Sequence, residues 1–190
     1  MSLIESNAAK IRLSTKVQQE GFVHDNYLWN TEMAKVTDQE IFCLANPTAP
    51  LKLHGDSVKA LNHYLESDMP IEFTSGPLAG STGPVTIAGS LVSNNADAIS
   101  GIVLAQIIKP GARIWTGNMT MVQNMATGGP AFGAIENSLH EIVFNQMWRH
   151  YGIPCWSSSC AWTSSKDIDY QAGYEMTMAA LTCAMSGANV

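Results

Sequence analysis

Charge is scarce in this chain: Lys, Arg, Asp and Glu together make up 14% of its 190 residues. The formal net charge of −6 excludes the basic footprint that non-specific nucleic-acid binding needs, and leaves recognition of a cation open. No apolar run approaches the roughly 18–20 residues of a membrane span. The start, Met1-Ser2-Leu3-Ile4-Glu5, has neither the basic cluster nor the long apolar stretch of a secretory signal. A cytoplasmic protein with no membrane partner is the expectation. Cysteine is sparse as well. Cys43, Cys155, Cys160 and Cys183 form no Cys-x-x-Cys pair, and no His stands at ligand spacing from Cys155 or Cys160. Buried thiols of a reducing compartment are therefore expected, and no metal site. No Gly-x-Gly-x-x-Gly follows the first apolar run, which argues against a dinucleotide site.

What is present is a regular alternation of short apolar runs with longer amphipathic ones, in a chain that is 46% hydrophobic. Residues 41–45 (Ile-Phe-Cys-Leu-Ala) read as a buried strand closed by Asn46-Pro47. Asp56 then offers an N-cap to a helix with Val58, Leu61, Tyr64 and Leu65 at helical spacing. The pattern repeats with a strand at 71–74 and a Gly/Pro/Ser/Thr-rich loop at 75–84. A helix over 90–108 follows, with Ile99, Ile102, Val103 and Ile107 on one stripe, ended by Pro110-Gly111. A third strand is expected at 112–115, then a loop at 116–132 and a helix carrying Ile135, Leu139, Ile142, Val143 and Met147 up to Gly152. A fourth strand is expected at 153–156, then a helix from about Asp169 to Gly187, with Asn189-Val190 opening a fifth strand.

Strand, loop and helix at this pitch predict an α/β fold with parallel strands. The loops after the strands are long and hydroxyl-rich, whereas those before them are tight (Lys109-Pro110-Gly111, Gly152, Gly187-Ala188-Asn189). Such asymmetry marks one functional face. About four consecutive βα units fit within 37–190, a partial TIM (β/α)₈ barrel, since a full barrel needs about 250 residues. Residues 1–36 read as a separate segment, loop over 1–29 with Asn30-Thr31-Glu32 capping a short helix through Val36.

The post-strand loops carry recognisable motifs. Asn46-Pro47-Thr48-Ala49-Pro50-Leu51 resembles the Asn-Pro-x-x-Pro-Leu segment of the trimethylamine methyltransferase family. Gly80-Ser81-Thr82-Gly83-Pro84-Val85-Thr86-Ile87-Ala88-Gly89 is similar to that family's Gly-x-Thr-Gly-Pro-Val-Thr-Leu-Ala-Gly signature. Gly101 to Gln106, Pro110-Gly111, Gly128 to Gly133, Tyr151 to Cys155, Gln171-Ala172-Gly173-Tyr174-Glu175 and Ser186 to Asn189 continue the match in order, over about residues 40–190. Ser164-Ser165 departs from it, where the family pattern leads one to expect an acidic residue before a small one.

The resemblance implies an enzyme that moves a methyl group from a tertiary or quaternary amine, trimethylamine or a glycine betaine-like compound, to Co(I) of a corrinoid. The corrinoid (cobalamin) is carried by a separate partner protein docked over the C-terminal face of the barrel. It also implies that the chain lacks strands at both ends, leaving open edges that favour homo-oligomers and leave the chain inactive alone. Two other readings stand beside it: a non-catalytic quaternary-amine-binding barrel fragment, and a TIM-barrel enzyme of unrelated chemistry.

A quaternary ammonium offers no proton, so its site needs aromatic faces and nearby oxygens. Phe132, Trp156, Trp162 and Tyr174 are the aromatic candidates, with ordinary packing under a loop as the alternative. Trp156, alternating with Cys155, is expected to point into the barrel. Glu136 and Asp169 sit near helix N-termini, where a carboxylate is favoured and capping alone would explain both. Gln171 and Glu175 share a helix face, Glu175 otherwise facing solvent. Ser81-Thr82-Gly83-Pro84 could hold a substrate carboxylate or a corrin phosphate on its amides, or could be a structural turn with glycine at positive φ. Ser157 and Ser158, with Ser159, offer hydroxyl donors. His140 and His150 are expected at the surface. No catalytic acid, base or nucleophile is assigned.

Overall fold

A computed structural model describes residues 3–20, 25–158 and 162–189. In chain order the elements are α1 (Leu3–Leu13), β1 (Gln18–Glu20), α2 (Asn26–Thr37), β2 (Ile41–Ala45), α3 (Gly55–Glu66), β3 (Ile71–Ser75), β4 (Leu78–Ala79), α4 (Ile87–Ile108), β5 (Ile114–Asn118), β6 (Met121–Val122), α5 (Ile135–Tyr151), β7 (Cys155–Ser157) and α6 (Tyr170–Ser186). Five strands form a parallel sheet in the order β1-β2-β3-β5-β7, and β4 pairs with β6 in a separate small ladder. Sequence-neighbouring strands joined by helices are the consecutive βα units of a partial (β/α)₈ barrel, as the alternation implies. Two compact units divide the chain: Met1–Asn46, Leu53–Phe73 and Ser100–Ile114 in the first, and Pro47–Lys52, Thr74–Ile99 and Trp115–Val190 in the second.

In the first unit β1 runs parallel to β2, with Gln18 beside Ile41, and β2 runs parallel to β3, with Cys43 beside Ile71. Along β2 the residues Ile41, Cys43 and Ala45 are fully buried and Phe42 and Leu44 half-buried, the two-residue alternation of a strand with a core face. They join Leu61, Tyr64, Leu65, Ile71 and Phe73 in one core. Full burial of each large aliphatic contributes roughly 1.5–3 kcal/mol. Burial, and then the neighbouring Glu72, pushes the Cys43 thiol up to about 12. The α4 backbone meets this core at Gly101, where a Cβ would overlap the Phe73 ring.

Residues 3–13 are helical, which corrects the expectation of loop over 1–29. The buried face of α1 consists of Asn7 and Ile11, too few apolar positions to register as a stripe. Asn7 Nδ2 donates to Asn30 Oδ1 at 2.9 Å, and Gln39 Nε2 donates to the Ile11 carbonyl. Asn30 and Thr31 therefore lie inside α2 rather than capping it. Thr31 Oγ1 bonds the Tyr27 and Leu28 carbonyls and shares a 2.7 Å hydrogen bond with His63 Nε2. His54, not Asp56, holds the N-cap position of α3; Asp56 sits in its first turn, bonded by Lys59.

In the second unit β5 runs parallel to β7, with Gly117 opposite Trp156. Both strands begin about two residues later than expected. The Pro110-Gly111 turn delays β5, and Pro154, which has no N–H, delays β7 while its carbonyl accepts Thr116 N. Gly152 and Gly187 close α5 and α6 in the left-handed conformation. Asn189 lies beside Cys155, its amide donating to the Cys155 carbonyl and its Oδ1 accepting from the Cys155 amide. Cys160, Ser159 and Val190 lie outside the described residues, while Cys43, Cys155 and Cys183 are buried free thiols.

Two helices are rotated relative to the expected stripes. Ile99, Val103 and Ile107 on α4 are exposed, and so are Ile135, Leu139 and Val143 on α5. The buried face of α4 carries Leu91, Asn94, Asp97, Ala98, Gly101 and Ala105; that of α5 carries Asn137, His140, Glu141, Phe144, Asn145 and Trp148. Small residues let α4 approach the strands closely, and Asn137 and Asn145 of α5 find partners in the sheet and loops. His140 is thus in the interior, only 2% exposed, while His150 is at the surface. The α4 helix is long and apolar enough to cross a membrane by length and composition alone, yet its inward polar groups are fully buried in protein.

Candidate functional site

At the carboxyl ends of the strands in the second unit, each strand is fastened by a buried polar side chain. Ser75, the last residue of β3, donates to Asp97 Oδ2 at 2.7 Å, and the other Asp97 oxygen accepts the Leu51 amide at 2.6 Å. Asn118 ends β5. Its Oδ1 accepts Asn94 Nδ2 at 2.5 Å and the Thr120 amide at 3.0 Å, and its carbonyl accepts Ser158 Oγ at 2.5 Å. Ser157 Oγ and Cys155 Sγ both reach Asn145 Oδ1 on α5, and Asn145 Nδ2 continues to Ser186 Oγ. Buried polar groups that are satisfied in this way rigidify the ends of strands.

The same bonds fix which face each side chain takes. Asn118 points to α4, so Trp115 and Gly117 point away from the helices. Cys155 and Ser157 point to α5, so Trp156 takes the opposite face and remains half-buried. Trp156 sits directly across from Gly117.

The loops beyond β6 and β7 meet at Glu175 on α6. Its carboxylate accepts Thr163 Oγ1 at 2.5 Å, the Ser164 amide at 2.8 Å and Gln171 Nε2 at 2.8 Å. The Thr163 hydroxyl, then Gln171 and the Ser164 amide, hold the carboxyl below the usual Glu range. Ser164 Oγ in turn accepts the Gly133 amide. This clasp joins the segments bearing Phe132 and Trp162, whose rings meet edge-to-face at 5.5 Å. Phe132, Gly133, Trp162 and Glu175 line one small cleft with Asn137 and Met178. Asn137 supports it from beneath by donating to the Ala131 and Phe132 carbonyls.

Of the residues singled out from sequence, Phe132, Trp162 and Gln171 come together around Glu175. Tyr174 does not join them; it stacks on Tyr170 at 6.4 Å, and both are exposed. Glu136 is exposed in the first turn of α5. Asp169 caps α6, accepting the Ala172 amide and Ser165 Oγ. The Ala172 amide, then Ser165, lowers its pKa. Ser157 and Ser158 are buried, their hydroxyls already donating inward.

In the Ser81-Thr82-Gly83 turn the Ser81 and Gly83 amides are used within the turn. Ser81 N and Gly83 N donate to the Leu78 carbonyl, Gly80 N donates to the Gly83 carbonyl, and Thr82 Oγ1 accepts Leu78 N. That corrects the reading of an open anion cradle: the positive φ falls on Gly80, and only the exposed Ser81 and Thr82 side chains are presented outward.

Asn94, Asp97, Asn118 and Trp115 were not singled out from sequence, and Glu175 stood out only as sharing a helix face with Gln171. The available signal was Asn94 and Asp97 inside a long apolar helix, because a buried polar group demands a partner. The assembled groups are amides, hydroxyls, aromatic faces and a carboxylate held by protein donors. They suit binding and orientation of a cation better than proton transfer. Among the described residues no His, Cys, Asp and Glu cluster is arranged to hold a metal ion.

A model of the trimethylamine methyltransferase family (MTTB) matches residues 27–190. Over 143 residues the chain is 35% identical to a trimethylamine methyltransferase of Methanosarcina mazei, covering 75% of this chain and 29% of that protein. Over 146 residues it is 36% identical to a glycine betaine methyltransferase of Desulfitobacterium hafniense, covering 77% of this chain and 30% of that one. A trimethylamine methyltransferase of Desulfitobacterium hafniense is 27% identical over 157 residues, 82% of this chain and 32% of its own length. The chain thus spans about a third or less of the length of these relatives.

Proposed function

Because the chain belongs to the trimethylamine methyltransferase family, we propose that it serves the transfer of a methyl group from a methylated amine to the Co(I) of a corrinoid protein. In such a transfer the methyl carbon–nitrogen bond breaks, its electron pair stays on nitrogen, and the ammonium charge is lost. The corrinoid, carried by a partner, supplies the nucleophile. This chain's part is to hold the alkylated nitrogen and aim a methyl group outward from the strand ends, where positioning contributes most of the rate.

The observation that carries this reading is the Phe132–Trp162 pair fixed by the Glu175 clasp, with Trp156 on the face away from the helices. Aromatic faces attract a quaternary or protonated amine, and the nearby carboxylate adds a favourable field. Ser81 and Thr82, exposed beyond β4, suit contact with the polar rim of a corrin. Ser157 and Ser158 do not, since both are buried. The reading places the protein in the cytoplasm, in one-carbon metabolism. A quaternary substrate of the glycine betaine kind fits an aromatic site more readily than trimethylamine, which needs a further group to activate its nitrogen.

The test mixes the protein with a corrinoid protein held as Co(I) and either glycine betaine or trimethylamine, and follows the methyl-Co(III) absorbance. Its appearance with one amine supports transfer. Amine affinity without any spectral change would favour the second reading, a binding module that transfers nothing.

A further inference from the structure

We infer that Asn137 is a positioning residue for the amine, acting through Phe132, whose ring it aims at Trp162. The inference rests on the reading of the Phe132–Trp162 cleft as the amine's seat. Asn137 is only 2% exposed. Its Oδ1 accepts the Val122 amide of β6 at 2.9 Å, and its Nδ2 donates to the Ala131 carbonyl at 2.8 Å and the Phe132 carbonyl at 3.0 Å. Both hydrogens of the side-chain amide are thereby used.

None of these bonds serves the helix that carries the residue. A polar side chain in a first helical turn ordinarily turns back to the helix's own unbonded amides. On α5 the N-cap position, Ala134, makes no side-chain cap bond, and Asn137 reaches past it to the chain before the helix. The side chain is spent on the loop that bears Phe132.

The two carbonyls it holds belong to the peptide planes on either side of the Phe132 Cα. Each plane is rigid, so fixing both fixes the direction in which the Phe132 side chain leaves the backbone. The Ala131 amide donates to the Val122 carbonyl, and the Gly133 amide donates to Ser164 Oγ of the Glu175 clasp. Asn137 thus supplies the α5 half of a support whose other half comes from the clasp. The Phe132 ring is 36% exposed, so packing alone does not hold it, yet it meets Trp162 edge-to-face at 5.5 Å. Rings already in place when a cation arrives avoid the cost of ordering them on binding.

Two readouts on the whole chain test this: calorimetric binding of tetramethylammonium, and the near-ultraviolet circular dichroism of Trp162, isolated as the difference between wild type and Trp162→Phe. Asn137→Ala should weaken binding by roughly 2- to 30-fold, the range for losing one ring, and should remove most of the Trp162 difference band. Added to Phe132→Leu it should weaken binding by less than about twofold more, because the ring it positions is already gone. Asn137→Ser, whose hydroxyl is too short to reach either carbonyl, is a milder second variant with the same expectation should Asn137→Ala fail to fold. Gly101→Ala, which strains the first unit's core at Phe73, should move neither readout, so that lost stability by itself is told apart from lost positioning. A wild-type chain that binds the cation, with Asn137 variants that bind it equally well and keep the Trp162 band, overturns the inference and leaves the cleft as the amine's seat. Losses from Asn137→Ala and Phe132→Leu that multiply in full overturn it too, since Asn137 then acts by another route. A wild-type chain that binds no tetramethylammonium overturns the reading of the cleft, and the inference with it.

Discussion

The backbone of Gly133 lies against the Glu175 carboxylate so closely that a Cβ at residue 133 would overlap the carboxylate group. Glycine is required there for space rather than for an unusual φ. The approach lets one carboxylate on α6 gather the Thr163 hydroxyl and the Ser164 amide while Ser164 Oγ accepts the Gly133 amide. Two loops far apart in sequence are thereby held at one point, and the Phe132 and Trp162 rings with them.

Gly133→Ala should push Glu175 off these donors, and Glu175→Gln should weaken the same bonds without changing shape. Each is expected to lower unfolding free energy by about 1–3 kcal/mol, the usual effect of losing hydrogen bonds to a charged group. Because both act on one clasp, the double variant should lose clearly less than the sum. Urea unfolding of all four proteins measures this. Strictly additive losses would show that the two positions do not act together.

Acid should loosen the protein in two separate pH windows. Burial pushes His140 down to about 4, so between its ordinary value of about 6.5 and about 4 the unfolded chain binds a proton that the folded chain refuses. Stability in this window falls as pH drops, by up to about 1.4 kcal/mol per unit. Glu175 has a lowered folded pKa, so its contribution is present above the ordinary Glu value of about 4.3 and is lost as pH falls through the folded one. His140→Phe should flatten only the first window. It should also cost little at pH 7, since neither ring nitrogen has a hydrogen-bond partner among the described residues. A His140→Phe profile parallel to wild type from pH 6.5 to 4 would refute the assignment.

Strand order, the four βα units and the helix ends at Gly152 and Gly187 were legible because apolar runs and glycine punctuation are local signals. The phase of α4 and α5 was not. Both helices carry apolar residues on two faces, and periodicity gives a spacing without saying which stripe the sheet takes. The sheet took the stripe with Ala98, Gly101 and Ala105 on α4, where bulk is least, and on α5 the stripe with Asn137, Glu141 and Asn145. The candidate site was legible in part for a similar reason. Phe132, Trp162 and Gln171 stood out by type and by their place after strands. Glu175 looked like a solvent-facing residue because Thr163, Ser164 and Gly133, which enclose it, are distant in sequence. Tyr174, five residues after the Asp169 cap, is turned outward onto Tyr170 by the helical pitch.

Gly101→Ala probes how closely α4 packs on the first unit's core. The added methyl meets the face of Phe73, a fully buried ring that cannot swing into solvent. Overpacking of this kind costs about 1–3 kcal/mol, more than the few tenths to 1 kcal/mol that a helical Gly→Ala change normally gains. A net loss in thermal unfolding is expected. Phe73→Leu in the same background should return part of it by making room, and a stabilised Gly101→Ala protein would disprove the tight contact.

Aromatic residues near the clasp should differ sharply in their effect on amine binding. A cation held against one ring gains about 0.5–2 kcal/mol, which corresponds to roughly a 2- to 30-fold change in Kd. With tetramethylammonium as the probe and calorimetry as the readout, Trp162→Leu and Phe132→Leu should each weaken binding within that range. Tyr174→Leu should leave it unchanged, because that ring is occupied with Tyr170 on the exposed side of α6. Raising the salt concentration tests the carboxylate's share. Glu175 is screened by added ions whereas ring contacts are affected much less, so Glu175→Gln should reduce the salt dependence and Trp162→Leu should preserve it. Equal losses for Tyr174→Leu and Trp162→Leu would place the amine somewhere other than this cleft.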